Sequence, residues 1–278
     1  MIGSGPVRTA GATAAMSAYD AVAPAFDRHR ALPDGVQQAI RAAILAGVEV
    51  ASPRLLDLGA GTGRIGEAFV AAGDDYVAVD VSLGMLREFA RRGRHDLPLP
   101  RLAQADGQRL PFPDATFDAV MLIQVFGGMR GWRHVIAEAR RVLRPRGALV
   151  TGRAVAPVDG IDGQMKRRLG ALLVDLGVDA DTTNARDDVH RALESQAQAG
   201  TSVVAGTWNA ERTARAFLDR HAGGARFSVL PEPVKTEAMR RLAAWAMATF
   251  GSLDTIFSEP HAFELNMFKF TAGDSRHA

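Results

Sequence analysis

The sequence predicts an α/β fold: a mostly parallel sheet with helices on both faces. Three observations carry it. Short strands alternate with amphipathic helices from about residue 34 to 152. Those strands are apolar on both sides, as strands covered twice by helices must be. The first of them runs into a glycine-rich turn that opens a helix. Sheets of this kind bind ligands at the carboxyl ends of their strands.

Val36, Ile40, Ile44 and Val48 recur every fourth residue and predict a helix over 34–48. Ser52-Pro53 breaks it. Leu55–Leu58 reads as a buried strand, and Ile65, Phe69 and Val70 share a face of the helix that follows. Tyr76–Asp80 is a second strand and Leu83–Arg92 a second helix. Residues 119–123 form a strand with both faces apolar. Residues 132–143 form a helix with Val135, Ile136, Ala139, Val142 and Leu143 on one stripe, and 144–147 turn the chain into a strand at 148–151.

After Gly152 the rhythm changes. Met165, Leu169, Leu172, Leu173 and Leu176 mark an amphipathic helix; a polar stretch at 179–188 separates it from a helix over 189–198. A strand at 201–208, helical segments near 211–221 and 235–250, and a strand at 262–270 complete the chain. In that last strand the alternation of Phe263, Leu265 and Met267 breaks at Phe268, so a bulge or burial on both faces is expected.

With 278 residues the chain suits one large domain, or a core with a sizeable insertion. No apolar run approaches the roughly 20 residues that span a bilayer, and the first twenty residues lack a compact apolar segment of the signal-peptide kind. A cytoplasmic protein with no membrane span is expected. Having no cysteine, the chain has no disulfide, thiolate nucleophile or cysteine metal site. Its seven histidines are scattered, with no i,i+4 pair beside a carboxylate, and no metal site is expected. The net charge is only +2, and the basic clusters Arg91-Arg92-Gly93-Arg94 and Lys166-Arg167-Arg168 read as solvated helix ends. With 6% aromatic residues and no aromatic stripe between the basic ones, nucleic acid is not an expected partner.

The chemistry concentrates at Asp57-Leu58-Gly59-Ala60-Gly61-Thr62-Gly63. Glycines at 59, 61 and 63 let the backbone turn sharply and approach a ligand where a Cβ would clash, and the helix behind presents free N–H groups. A dinucleotide fingerprint would place its last glycine at position 64, which is arginine. An acid at Asp57 repels a pyrophosphate and suits a cationic amino group. Asp80 closes the second strand, where a carboxylate accepts from both hydroxyls of a ribose; the alternative is a helix N-cap, for which Ser82 is better placed. Asp106, ahead of Gly107, is able to accept from an adenine amino group or to serve a plain turn.

The segments LDLGAGTGRIG, VAVDVSLGML, QADGQRLPFPDATFDAV and EARRVLRPRGALV occur in an order and spacing that resemble class I S-adenosylmethionine-dependent methyltransferases, in the branch similar to ubiquinone- and menaquinone-biosynthesis enzymes. The likeness covers roughly residues 15–152. It implies a Rossmann-like, seven-stranded sheet whose last strand is antiparallel, with 201–208 and 262–270 as the last two strands and the helices between them as insertions. It divides the chain into an arm over the cofactor (1–30), a cofactor-binding core (31–154), and a region of helical insertions plus the last two strands (155–278).

The implied cofactor is S-adenosyl-L-methionine, and the product S-adenosyl-L-homocysteine. By the same resemblance Asp57 and Gly59 line the methionine part, with Gly61 and Gly63 close behind. Asp80 holds the ribose, Val81 and Met85 flank the adenine, and Asp106 and Gly107 read its edge. Gln124 faces the methionine end, and Tyr19 belongs to an arm folded over the cofactor. Many relatives carry histidines soon after the fourth strand; here Gln124-Val125-Phe126-Gly127-Gly128-Met129 has none, so no catalytic residue is assigned. His134, His190, His221 and His261 read as solvent-facing or packed. Trp208, Trp245, Met247 and Phe250 either wall a lid or belong to a second small core. The expected acceptor is a small, apolar molecule; a nucleic-acid or protein methyltransferase, or a non-catalytic binder of the cofactor, are the rivals.

Overall fold

A computed structural model describes residues 19–20, 23–27, 31–92, 99–127, 129, 131–178, 185–222, 227 and 230–270. Most of the arm over 1–30, Arg94, Gly128 and the polar stretch 179–184 lie outside the described residues.

After a short 3-10 turn at Ala23–Ala25 come α1 (Val36–Val48), β1 (Leu55–Leu58), α2 (Glu67–Ala71), β2 (Tyr76–Asp80), α3 (Leu83–Arg92), β3 (Arg101–Gln104), β4 (Phe117–Ile123), α4 (Trp132–Val142) and β5 (Leu143–Val155). The second half adds α5 (Ile161–Asp175), α6 (Ala185–Gln196), β6 (Ala199–Arg212), α7 (Ala214–Ala222), α8 (Glu232–Phe250) and β7 (Phe257–Lys269). Seven strands form one sheet in the order β3-β2-β1-β4-β5-β7-β6. Pairing is parallel from β3 to β5, and β7 is antiparallel to both β5 and β6.

Each face of the sheet has its own core. Leu56, Val79, Val120, Leu149 and Phe268 pack against Trp132, Val135 and Ile136 of α4 and Val189 and Leu193 of α6. On the other face Val36, Ile40, Ile44 and Val48, the four residues of the sequence periodicity, are all buried against Met121, Val150, Leu265 and Met267. The burial of both Met267 and Phe268 puts β7 between two apolar layers at that point.

Several boundaries differ from the sequence expectation. β3 has no counterpart in it: this edge strand is short and only half-buried, so its residues show no apolar run. The expected turn at 144–147 is a bulge inside β5, where pairing with β4 jumps from Phe117↔Leu143 to Ala119↔Ala148 and Arg146 takes a left-handed φ of 67°. α2 starts only at Glu67, so Ile65 lies in the turn before it. β6 and β7 run longer than expected, from Ala199↔Lys269 to Arg212↔Phe257, with a register shift between Val204 and Gly206. Because β5 stops opposite Ala262, the far end of this ribbon overhangs the carboxyl edge of the sheet.

α5, α7 and α8 pack beside that overhang around a third core of Met165, Leu169, Phe217, Leu242 and Ala246. Trp245 and Phe250 belong to this core, Trp208 packs on the α1 side of the sheet, and Met247 is exposed. The second-core alternative therefore holds for Trp245 and Phe250. Buried Glu259 of β7 ties the insertion down by accepting from the Ile161 N–H at 2.6 Å, at the start of α5. Asp162 accepts from Arg220 at 2.7 Å. His261 sits 3.8 Å from Glu259, and burial, aided by the charge of Arg212, holds its imidazole below the ordinary histidine range. Among the described residues no helix is long and apolar enough to cross a membrane.

Candidate functional site

β1 lies between β2 and β4, so the loop that leaves it emerges at the carboxyl edge of the parallel strands. The loop is tied to β2 from its first residue: the Gly59 and Ala60 N–H groups donate to the Val79 carbonyl at 2.7 and 3.0 Å. All three glycines take left-handed φ, and two of them differ in what surrounds them. A Cβ on Gly63 would strike the Phe89 ring at 2.1 Å, whereas one on Gly61 would meet no atom within 4 Å. Gly63 is thus required by packing, and Gly61 by its φ of 58°, with open space over its Cα for a ligand.

Asp80 holds this loop from the end of β2. Its Oδ2 accepts the Gly61 N–H at 2.8 Å and its Oδ1 the Ser82 N–H at 2.8 Å. Burial pushes its carboxyl up, and these backbone donors partly offset the shift. A carboxylate oxygen accepts more than one hydrogen bond, so Asp80 keeps capacity for a pair of hydroxyls. Ser82 caps α3, its Oγ accepting the Met85 N–H at 3.1 Å, which leaves Asp80 out of the capping role.

Asp57 lies beneath the loop and is 2% exposed. The Tyr76 hydroxyl donates to its Oδ2 at 2.5 Å, while Oδ1 takes no hydrogen bond among the described residues. Burial drives the Asp57 carboxyl up to about 7, the Tyr76 hydrogen bond opposes this, and the nearby Asp80 charge adds to it. An acid held this way gains most from a cation at its free oxygen.

The remaining residues singled out in the sequence are placed as follows. Val81 is half-buried, Met85 is buried within α3, and Gly107 lies against Leu58 and Val135. Asp106 is exposed and its Oδ1 accepts the Gln108 N–H at 2.9 Å, so it serves a turn. Gln124 is exposed with a left-handed φ of 59°, and its side-chain oxygen accepts from Arg64. Tyr19 is half-buried next to Asp20. The structure thus brings Asp57, Gly59, Gly61, Gly63 and Asp80 together at one loop, with Gly61 hydrogen-bonded to Asp80; Asp106 stands in its own turn.

Three contributors went unread in the sequence. Tyr76 orients Asp57; it shares a face of β2 with Ala78, which pairs with Asp57, so strand parity carried the signal. Asp20 accepts from Ser82 Oγ at 2.5 Å and from the Gly84 N–H at 2.7 Å. Asp27 accepts from Thr62 Oγ1 at 2.8 Å and pairs with Arg92. These contacts bind the chain ahead of α1 to the glycine loop and to α3.

The histidines divide as well. His221 stacks on Phe217 and is pushed down to about 4 by burial. His134 is exposed. His190 does form an i,i+4 pair, with Glu194 at 3.1 Å, which corrects the sequence reading. Among the described residues no group of three or more histidine, cysteine or acidic side chains is placed to hold a metal.

Residues 56–151 match the family described as methyltransferase domain. A demethylmenaquinone methyltransferase of Thermus thermophilus is 32% identical over 153 residues, which are 54% of this chain and 70% of that protein. The chain belongs to the class I methyltransferase family. Within that family it is also 36% identical to a demethylmenaquinone methyltransferase of Renibacterium salmoninarum, over 51% of this chain and 59% of the relative. A second, from Thermobifida fusca, is 37% identical over 48% of this chain and 57% of its own length. The chain thus spans less than two thirds of the length of these two curated relatives. Among solved structures, the YcgJ protein of Bacillus subtilis has a TM-score of 0.56 at 18% identity, covering 84% of this chain and 98% of that one. A Bacillus halodurans protein has a TM-score of 0.52 at 17% identity, covering 83% and 98%. At these identities they show the fold, a seven-stranded Rossmann-like sheet with an antiparallel β7. The family match ends at residue 151, so α5 to α8 lie outside it.

Proposed function

We propose that the chain transfers a methyl group from S-adenosyl-L-methionine to a small-molecule acceptor in the cytoplasm, releasing S-adenosyl-L-homocysteine. The observation that carries this is the cradle in which Asp80 fixes the Gly61 N–H while Gly61 leaves open space above it and Asp57 keeps one oxygen unbonded. These residues fit an adenosyl ligand with a cationic amino group. Asp80 would hold the ribose, Asp57 the amino group, and Gly59, Gly61 and Gly63 the close backbone approach. Val81, Met85, Asp106 and Gly107 would border the adenine; for Met85 its burial, and for Asp106 its turn, make these the weaker contacts. Gln124 would face the methionine end. When bound, the cofactor supplies a methyl on a sulfonium, which already has a good leaving group, so the protein's contribution is orientation and exclusion of water.

The arm over 1–30 would close over the cofactor, with Tyr19 beside it; the bonds of Asp20 and Asp27 to the site support this. The core over 31–154 would bind the cofactor, and 155–278 would shape the acceptor site. The named relatives act on demethylmenaquinone; since the insertion lies outside the matched residues, the acceptor here is argued separately below. Calorimetric titration with S-adenosylmethionine tests the reading. One-to-one binding that Asp80→Ala weakens on the order of 100-fold supports it, and no binding refutes it. Binding without turnover on a broad metabolite panel would favour the non-catalytic rival.

A further inference from the structure

Strand parity exposes a change of character on the face of the sheet that packs against α4 and α6. Row by row across β4, β5, β7 and β6, the first set on that face is Val120, Leu149, Phe268 and Gly200. Toward the carboxyl edge the next is Leu122, Thr151, Asn266 and Ser202. The last contains Gln124, just past the end of β4, then Arg153, Glu264 and Val204. The face changes from apolar to polar within two steps, where it emerges from the core: Gln124, Arg153 and Ser202 are exposed, and Thr151, Glu264 and Asn266 half-buried. Asn266 accepts from Ser202 Oγ at 2.7 Å and Gln124 from Arg64.

Above this floor lies a cavity of about 160 Å³. Gln124, Thr151, Arg153, Glu264 and Asn266 line its sheet side, and His190 of α6 its other wall. It adjoins the proposed cofactor site: Val125, in its wall, packs on Gly59 so closely that a Cβ there would meet it at 2.5 Å. Its volume matches one six-membered ring, since an engineered cavity of about 150 Å³ takes up benzene. Arg153 and Glu264 stand 3.7 Å apart, beyond hydrogen-bonding distance, and both are partly exposed, so each retains donors or acceptors for a ligand. A guanidinium fork matches a carboxylate, and Glu264 accepts from an amine or hydroxyl.

We propose that this cavity is the acceptor site and takes a small amino- or hydroxy-carboxylate no larger than one ring, with Arg153 on the carboxylate and Glu264 on the amine or hydroxyl. This rests on the methyltransferase reading and replaces the apolar acceptor expected from the sequence.

The test is calorimetry on the full chain, first with S-adenosylhomocysteine, then with 4-aminobenzoate, 4-hydroxybenzoate and serine added to the loaded protein, each compared with its neutral amide. The expected result is saturable binding of a carboxylate with the amide weaker by about tenfold or more, the loss of a charge-assisted pair. Arg153→Met removes that discrimination with S-adenosylhomocysteine affinity and melting temperature unchanged, and Glu264→Gln weakens the same probe several-fold. The proposal is overturned if none of the carboxylates binds, if the amides bind as well, or if Arg153→Met still discriminates. Should S-adenosylhomocysteine itself fail to bind, the cofactor reading falls. The same titrations on the unloaded protein then decide the cavity alone, by the same criteria.

Discussion

The parallel half of the sheet and the antiparallel half carry their helices differently. From β3 to β5 each connection returns over the sheet, and the polar groups near the edge gather at one loop, where Asp80, Gly61 and Asp57 are joined through backbone and a single tyrosine. At the other end, β6 and β7 extend past their neighbour, and α5, α7 and α8 close a core of their own beside the overhang. One region is organised around a ligand shape, the other around its own apolar packing plus a few ties such as Glu259 to Ile161.

That separation is open to direct attack. The largest expected effect is on the inserted core. Phe217→Ala should cost about 3–5 kcal/mol of stability, as large aromatic truncations do, while leaving S-adenosylmethionine affinity within about twofold at a temperature where the variant stays folded. Denaturant melts paired with calorimetry measure both, and a parallel collapse of affinity would show that the two regions are one unit. Next comes Asp80→Ala, for which affinity should fall on the order of 100-fold, since one lost charge-assisted hydrogen bond to the ligand costs about 1.5–3 kcal/mol. Gly61→Ala should follow, at about 1–2 kcal/mol for placing a side chain in the left-handed region, with a further loss of affinity as the methyl fills the open space. Gly63→Ala, aimed into the Phe89 ring, should instead show itself mainly as lost stability.

The pH dependence is gentler and has a definite sign. Burial pushes the Asp57 carboxyl up to about 7 in the folded protein, from an ordinary value of 3.8. Between those values the folded chain keeps a proton that the unfolded chain has released, so this group's stabilisation is complete below about 4 and is lost as pH rises through about 7. A cationic ligand prefers the ionised form, so affinity should rise over the same range and level off above about 7, approaching tenfold per unit well below it. Titrations from about pH 5 to about pH 9 test this, and Asp57→Asn should flatten the profile. Tyr76→Phe removes the hydrogen bond that lowers the Asp57 value and should move the midpoint upward.

Much of the parallel half was legible because its signals are local. Val36, Ile40, Ile44 and Val48 name a helix by their spacing, and Leu55 to Gly63 name a strand and its turn in one phrase. β3 escaped because an edge strand with no buried residue needs no apolar run. Asp20, Asp27 and Tyr76 escaped because their partners lie far away in sequence. The polar floor under α6 was hidden for another reason: Arg153 and Glu264 become neighbours only through the β5–β7 register, which fixes which side chains share a face.

The register shift in β6 bears on how the molecule meets its own copies. Among the described residues β6 closes one side of the sheet, and Ala199 to Ala210 contains neither a charge nor a proline. An uncharged strand of that length offers unpaired backbone groups to another strand, the usual start of edge-to-edge aggregation. The bulge between Val204 and Gly206 kinks that row and breaks its repeat at the centre. It leaves two short stretches in place of one long template, so the irregularity in β6 works as a safeguard of solubility.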